Sequence, residues 1–439
     1  MKRLRWLELP LIIAILVASL FIFIGFMDDK YSIDSENQLN KDVMEILSIW
    51  PEDSDNGKLI VKLTEQYIEE VNPEFKYEYK LVSVDKLDET IATLLSSDDL
   101  PDVFVYDSGE PLKQLIKRDV LLDIGAALNE KEAYQYLDER ATELLKALSD
   151  TQTLYDLPLG LNVEGFWYNK NIFNQWDMKP PTTWDEFFEV CEAFLEVGIQ
   201  PLSAGGADKW PLTRYINAYA YRSMGSSIMD RAAEGQIAYT AEGLIKAAQI
   251  LAEMVQKGYF GNNVMTVDQD SAGDMLLKGE AAMFYNGSWF TEKLVSDSNP
   301  SGEDGIGFFP IPIIDESISS LSEFPMNCGN ILAMSKAKYN EQTADWLYYF
   351  VSHIGDLAMD EFGAVKGYQY HFEGELSNYS ELVASTIESA TSSTKWFEAS
   401  MKSDMRRVAQ DSVQALIAGD ISGEEYMELI EQEFLKNQE

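Results

Sequence analysis

The stretch VMEILSIWPEDSDNGKLIVKLTEQYIEEVNPEFKYEYKLVSVDKLDETIATLLSSDDLPDVFVYDSG, residues 43–109, decides the fold class. Its first eight residues are an apolar run ending at Trp50, the length of a buried strand, and PEDSDNG is a turn. KLIVKLTEQYIEEVNP has helical spacing, with Leu59, Ile60, Leu63, Tyr67 and Ile68 on one face. FKYEYKLVSV alternates like a strand, DKLDETIATLLSSDDLP is a helix stopped by Pro101, and DVFVYDSG is a short strand with a polar tip. A β-α-β-α-β order predicts an open, mainly parallel α/β sheet. Ligands of such sheets gather at the carboxyl ends of the strands, here residues 50–53 and 106–110.

Outward from this segment, residues 111–150 read as mostly helical and 151–168 as extended. TTWDEFFEVCEAFLEVG is a helix with a capping box from Thr183 and Glu186, one face of Phe187, Cys191, Phe194 and Leu195, and Gly198 as its stop. YTAEGLIKAAQILAEMVQKGYF is a second long helix. The last 45 residues give two more, split by AGDIS, with a further capping box at Ser422 and Glu425. In LLKGEAAMFYNGSWF, residues 276–290, a helix breaks at Gly279, an apolar strand follows, and Trp289 stands just past Asn-Gly-Ser. A core tryptophan belongs inside the periodic run. One beyond it sits where loops carry function.

The chain has 439 residues, enough for two lobes, with 46% hydrophobic residues and a net charge of −40. Lys2, Arg3 and Arg5 precede an apolar run over 9–27 that is closed by Asp28 and Asp29. At about 1.5 Å per residue the run nearly crosses a hydrocarbon core, and it exceeds a usual signal-peptide core. An uncleaved signal anchor is expected, with a cleaved signal peptide as the alternative. The positive flank stays inside and the body is exported. The first cysteine is Cys191, so no lipid-modified cysteine follows the run. The acidic body repels nucleic acid and anionic headgroups. Cys191 and Cys328 are too few for a disulfide framework.

Catalytic and metal motifs are missing from the sequence. His353 and His371 lack a zinc spacing. Asp268-Gln-Asp lacks the Gly and Glu of a calcium loop. Neither a G-x-S-x-G, a P-loop nor a G-x-G-x-x-G occurs. No enzyme activity, cofactor or metal is expected. Most of the nine Trp, 22 Tyr and 21 Phe fill cores, and a surplus of flat rings is also what flat sugar faces need.

LPLGLNVEGFWYNKNIFNQWDMKPPTTWDEFFEVCEAF, LLKGEAAMFYNGSW, GIGFFPIP and NCGNILAMSKAKYNEQTADWLYYFV lie in the order and spacing of a known family. Together they resemble bacterial extracellular solute-binding protein family 1, the maltose-binding-protein-like sugar binders of ABC transporters, over residues 43–435. The resemblance implies a two-lobe, type II periplasmic-binding-protein-like α/β fold. The N-lobe is then 43–157 with 308–372, and the C-lobe 163–303 with 377–435. Residues 1–30 are the anchor or signal peptide, and 31–42 a linker. Hinge strands pass through 157–162, 306–312 and 372–377. It further implies a monomer that takes a neutral solute, an oligosaccharide above all, in the interlobe cleft and delivers it to ABC importer permease subunits. Most Gram-positive members hang from a lipidated cysteine, which this chain lacks.

Sugars offer hydroxyl edges to polar groups and C–H faces to aromatic rings. Trp289, Trp396 and Trp210 fall where the family carries stacking aromatics. Trp50 reads as cleft wall or core in equal measure. Tyr106 and Asp107 follow β-strand DVFV, with an Asx turn as the plain alternative for Asp107. Of the first-loop acids, Asp53 is the one taken to face the cleft. Asn162 and Glu164 alternate on the first crossing strand and share a face, and Asn327 flanks a glycine near the ligand. Arg214 is expected in a surface salt bridge, with a carboxylate partner in the cleft as the alternative. The alternatives to import are a ligand sensor coupled to a membrane kinase, and a polyamine binder suited to the acidic loops. A glycoside hydrolase is disfavoured because nothing marks an acid with a raised pKa.

Overall fold

The computed structural model describes residues 43–296 and 299–437. The apolar run at 9–27 lies outside the described residues, and no helix among those described is long and apolar enough to cross a membrane.

Two sheets organise the body. The first has the order β2-β1-β3-β10-β4, where β1 is Val43–Ser48, β2 Lys76–Leu81, β3 Val103–Asp107, β4 Asp156–Pro158 and β10 Asn330–Met334. β1 and β3 pair in parallel through Ile46 with Val103, as the β-α-β rhythm predicts. β10 runs antiparallel to both β3 and β4. The sheet is thus more mixed than the first third of the chain suggests, because β10 arrives from elsewhere in the sequence and not by a helical crossover.

The helix Asp55–Glu70 buries Leu59, Ile60, Leu63 and Tyr67, and Ser54 caps its N-terminus. It packs on the 22-residue helix Glu341–Phe362. There the Trp346 indole donates to Thr64 Oγ1 at 3.1 Å, and the Tyr349 hydroxyl to Glu70 at 2.8 Å. Each buried polar tip thereby keeps a partner.

The second sheet has the order β11-β9-β5-β7-β6, where β5 is Asn162–Asn169, β6 Gln200–Ser203, β7 Ala281–Gly287, β9 Glu323–Asn327 and β11 Ser392–Thr394; β8, Ile306–Phe309, also pairs with β5. β7 is buried at all seven positions. The helices Trp184–Glu196, Trp210–Met224, Glu242–Gln256, Ser403–Ala418 and Gly423–Lys436 cover this sheet with one apolar core. Both capping boxes form, at Thr183–Glu186 and Ser422–Glu425. Cys191 and Cys328 are free and buried.

The chain leaves the first sheet after β4 and enters the second at β5 through residues 159–161. It returns from β9 to β10 through Cys328 and Gly329. The helix start after β1 and the turn after β7 then wall one cavity, while the carboxyl end of β3 meets the helix Ser403–Ala418.

Candidate functional site

Arg214 organises the deepest part of the site. It stands on the helix Trp210–Met224, four residues after Trp210, so both side chains leave the same helical face. Its guanidinium carbon lies 5.3 Å from the Trp210 ring centroid and 5.6 Å from that of Trp396. Nη1 donates to Glu398 Oε2 at 2.6 Å, and Nε faces Glu164 Oε2 at 3.3 Å. That second contact is a meeting of charges and not a directed hydrogen bond, since Nε has no hydrogen-bond partner. Arg214 is only 9% exposed. The surface salt bridge expected from sequence is therefore corrected: two buried carboxylates and two indole faces compensate a desolvated guanidinium. Burial opposes the Arg214 charge, but Glu164 and Glu398 outweigh it and hold its pKa above the ordinary value.

Trp289 joins this group from the other side. Its ring centroid is 6.2 Å from that of Trp210, at 59° between planes. The ring lies over the backbone of Gly287, where a Cβ would come within 1.9 Å of it. The glycine of Asn-Gly-Ser is thus required by close approach and not by an unusual φ, which is −81°. Trp210, Trp289 and Trp396 are all half-buried; Arg214 joins Trp210 to Trp396, and Trp289 meets this group through Trp210.

Beneath them, polar side chains from β5, β7 and β9 form a closed network. Glu164 accepts from the Tyr285 hydroxyl and from Asn327 Nδ2, each at 2.9 Å. Asn162 Nδ2 donates to Asn327 Oδ1 at 3.3 Å, and the Ser288 hydroxyl donates to Asn162 Oδ1 at 3.3 Å. Burial pushes the Glu164 carboxyl up, against the lowering effect of Arg214 and of both hydrogen bonds. Asn162, Glu164 and Asn327 direct these polar atoms at one another, so they fix Arg214 and the end of β7.

Tyr106 and Asp107 stand apart, at the carboxyl end of β3. Tyr106 is 6% exposed, and burial raises its phenol pKa. Asp107 accepts from Asn330 Nδ2 at 2.6 Å and pairs with Arg406. Arg406 also meets Asp88 at 2.9 Å. Because Arg406 belongs to the helical layer of the second sheet, these pairs span the cleft. Trp50 and Asp53 lie on the loop after β1. Trp50 is half-buried, with its backbone bound to Ser48 and Tyr79. Asp53 is exposed. Neither enters the Arg214 cluster.

A cavity of about 570 Å³ adjoins Trp289. Asp55, Glu361 and Phe362 line it from the first-sheet side, and Trp289, Asn286 and Glu292 from the second. Lys366 bridges the two sides, donating to Glu292 at 2.6 Å and to Asn56 at 2.9 Å. Sequence reasoning missed Arg406, Glu398, Glu292 and Lys366. Only Glu398 carried a local signal, two residues after Trp396. Among the described residues no cluster of metal-ligating side chains occurs.

Two α/β lobes, with an aromatic-walled and polar cavity reached from both, define a solute-binding architecture. The chain belongs to the bacterial extracellular solute-binding protein family, whose model matches residues 52–353. It is similar to a multiple sugar-binding protein of Streptococcus mutans, at 27% identity over 251 residues, 55% of this chain and 57% of that one. An uncharacterized ABC transporter extracellular-binding protein of Pyrococcus horikoshii shares 25% identity over 248 residues, 56% of this chain and 55% of its own length. These matches thus span a little over half of each relative. A solved chitin oligosaccharide binding protein superposes with TM-score 0.79 at 21% identity, over 90% of this chain and 98% of that one. A maltose-bound T. maritima MalE3 gives 0.71 at 16%, over 89% and 98%. At such identities these two likenesses establish the fold.

Proposed function

We propose that this protein captures an oligosaccharide between its lobes, outside the cytoplasm, and delivers it to an ABC importer. One observation carries the reading: Trp210 and Trp396 flank Arg214, and Trp289 packs on Trp210 while lining a cavity that both sheets wall. Indole faces suit the C–H faces of pyranoses, and the polar lining suits their hydroxyl edges. Trp289 is the stacking platform. Asn162, Glu164 and Asn327 act through Arg214 as positioning residues. Ligand contacts to both lobes stabilise the closed state over the open one, a population shift without chemistry.

The multiple sugar-binding relative and the oligosaccharide-binding neighbours agree with this reading. We place the body on the extracytoplasmic face, held by the apolar run at 9–27 or released by its cleavage. Titration calorimetry of the purified protein against maltotriose, cellotriose, xylotriose, raffinose and spermidine tests the proposal. Saturable binding of one neutral sugar, with a negative heat-capacity change from buried apolar surface, is the expected result. Binding of spermidine alone moves the ligand class to polyamines, which the carboxylates of the cavity also suit.

A further inference from the structure

The cleft shows a repeated charge pattern. Arg214 stands between Glu164 and Glu398, Arg406 between Asp88 and Asp107, and Lys366 beside Glu292 and near Asp55. Each cation therefore faces two carboxylates. In all three groups the cation is already joined to a carboxylate, Lys366 to Glu292 at 2.6 Å. The third opens into the cavity, where both Asp55 and Glu292 are lining residues.

We propose that the cavity beside Trp289 takes the primary ammonium of an amino sugar, held between Asp55 and Glu292 while the pyranose face lies on the indole. The proposal rests on the oligosaccharide reading and names the substrate class within it.

Asp55 lies at the start of the helix Asp55–Glu70, and Glu292 follows the Trp289 turn, so the pair spans the two sides of the cavity. Burial raises the Asp55 carboxyl to about 6, and the facing Glu292 adds to this, while Lys366 and Lys58 pull it down. The other charged lining groups are Asp270, Lys293 and Glu361. Lys293 is paired with Asp274, and Glu361 with Lys62. With Asp55 ionised, its carboxylate and that of Glu292 share the Lys366 ammonium on the cavity wall. A ligand ammonium between them ties the two sides together with charge-assisted hydrogen bonds.

A second observation points to a ligand in the same cavity. Asn286 is 4% exposed and lines the cavity. Its Oδ1 accepts from the Gly287 amide at 3.0 Å, while Nδ2 has no hydrogen-bond partner among the described residues. A buried amide with two idle donors suits a sugar hydroxyl or ring oxygen. The charged groups there are carboxylates and already-paired lysines, so the cavity disfavours uronic and phosphorylated sugars.

Calorimetry at pH 6.8 with cellotriose, the glucosamine trimer and spermidine tests the proposal. The glucosamine trimer is expected to bind wild type about tenfold tighter than cellotriose. In Asp55→Asn, and independently in Glu292→Gln, that ratio falls toward one, in variants whose melting shows them folded. Lowering the pH to 5 also shrinks the ratio, because Asp55 then keeps its proton. Equal affinity for the two trimers in wild type, or a preference that survives both substitutions, overturns the ammonium site and leaves the oligosaccharide reading intact. Spermidine binding tighter than either trimer overturns the amino sugar in favour of a polyamine. Failure of both trimers to bind overturns the ammonium site, and the oligosaccharide reading falls with it only if maltotriose, xylotriose and raffinose also fail.

Discussion

Arg406 donates to the Asp107 carboxylate from 299 residues further along the chain. The same guanidinium reaches Asp88 at 2.9 Å. Burial opposes the Arg406 charge, yet Asp107 and Asp88 outweigh it and hold its pKa above the ordinary value. The pair joins the end of β3 to the helical layer of the second sheet and so favours the closed arrangement. Arg406→Met is expected to shift the ligand-free protein toward the open state and to weaken ligand binding by about 1–2 kcal/mol. Small-angle scattering should give a larger radius of gyration. An unchanged radius with unchanged affinity contradicts this role.

A backbone contact reinforces the same closure. The Glu110 amide donates to the Ala399 carbonyl at 3.3 Å, next to Gly109. Gly109 has φ +81°, and a Cβ there would come within 2.5 Å of that carbonyl oxygen. Both the conformation and the space demand glycine. Gly109→Ala should cost about 1–3 kcal/mol in urea unfolding and weaken ligand binding. If the variant matches wild type in both, the close approach does not persist in solution.

Arg214 lies between two carboxylates, and removing it leaves both without a counter-charge. Arg214→Met is expected to destabilise the fold by about 3–5 kcal/mol at neutral pH. Adding Glu164→Gln should recover part of that loss, since one stranded charge disappears. Arg214→Lys should recover little, because an ammonium lacks the planar group that lies between Trp210 and Trp396. Denaturant midpoints of wild type, Arg214→Met, Glu164→Gln, the double variant and Arg214→Lys check this, and additive losses in the double variant would contradict the coupling.

Asp156 on β4 is 1% exposed, and its Oδ2 has no hydrogen-bond partner. Burial pushes its carboxyl up to about 8. In the unfolded chain the group ionises near 3.8, so between these values the folded protein holds a proton that the unfolded chain has released. Stability therefore falls as pH rises through that window. Asp156→Asn removes the term, and its loss between pH 5 and pH 8 should be smaller than that of wild type by about 1–3 kcal/mol. Parallel stability profiles for the two proteins would show that Asp156 ionises at its ordinary pH in the folded state.

Much of this fold is written locally. Leu59, Ile60, Leu63 and Tyr67 declare their helix by spacing alone, and the all-buried β7 is a plain apolar run. Trp289 stood out because it falls beyond that run. Its neighbours in space were harder to find. Arg214 looked like a surface residue because a lone arginine on a helix usually is one. Its i, i+4 relation to Trp210 was the available clue, and the missing half was Glu398, which lies 184 residues away. Arg406, Lys366 and Glu292 owe their positions to the repeated passage of the chain between sheets. No periodicity encodes which residues that passage sets face to face. The mixed character of the first sheet escaped for the same reason, since β10 enters it from the second sheet.

In the proposed mode of capture a sugar lies against Trp289 in the interlobe cavity. The most direct test is a titration of intrinsic tryptophan fluorescence with the sugar that calorimetry identifies, in wild type, Trp289→Ala and Trp176→Ala. Trp176 is 38% exposed on the surface and serves as the control. A saturable change is predicted in wild type and in Trp176→Ala at the same affinity, with Trp289→Ala weaker by about 1–3 kcal/mol. Equal affinity in all three proteins would contradict the placement of the sugar on Trp289.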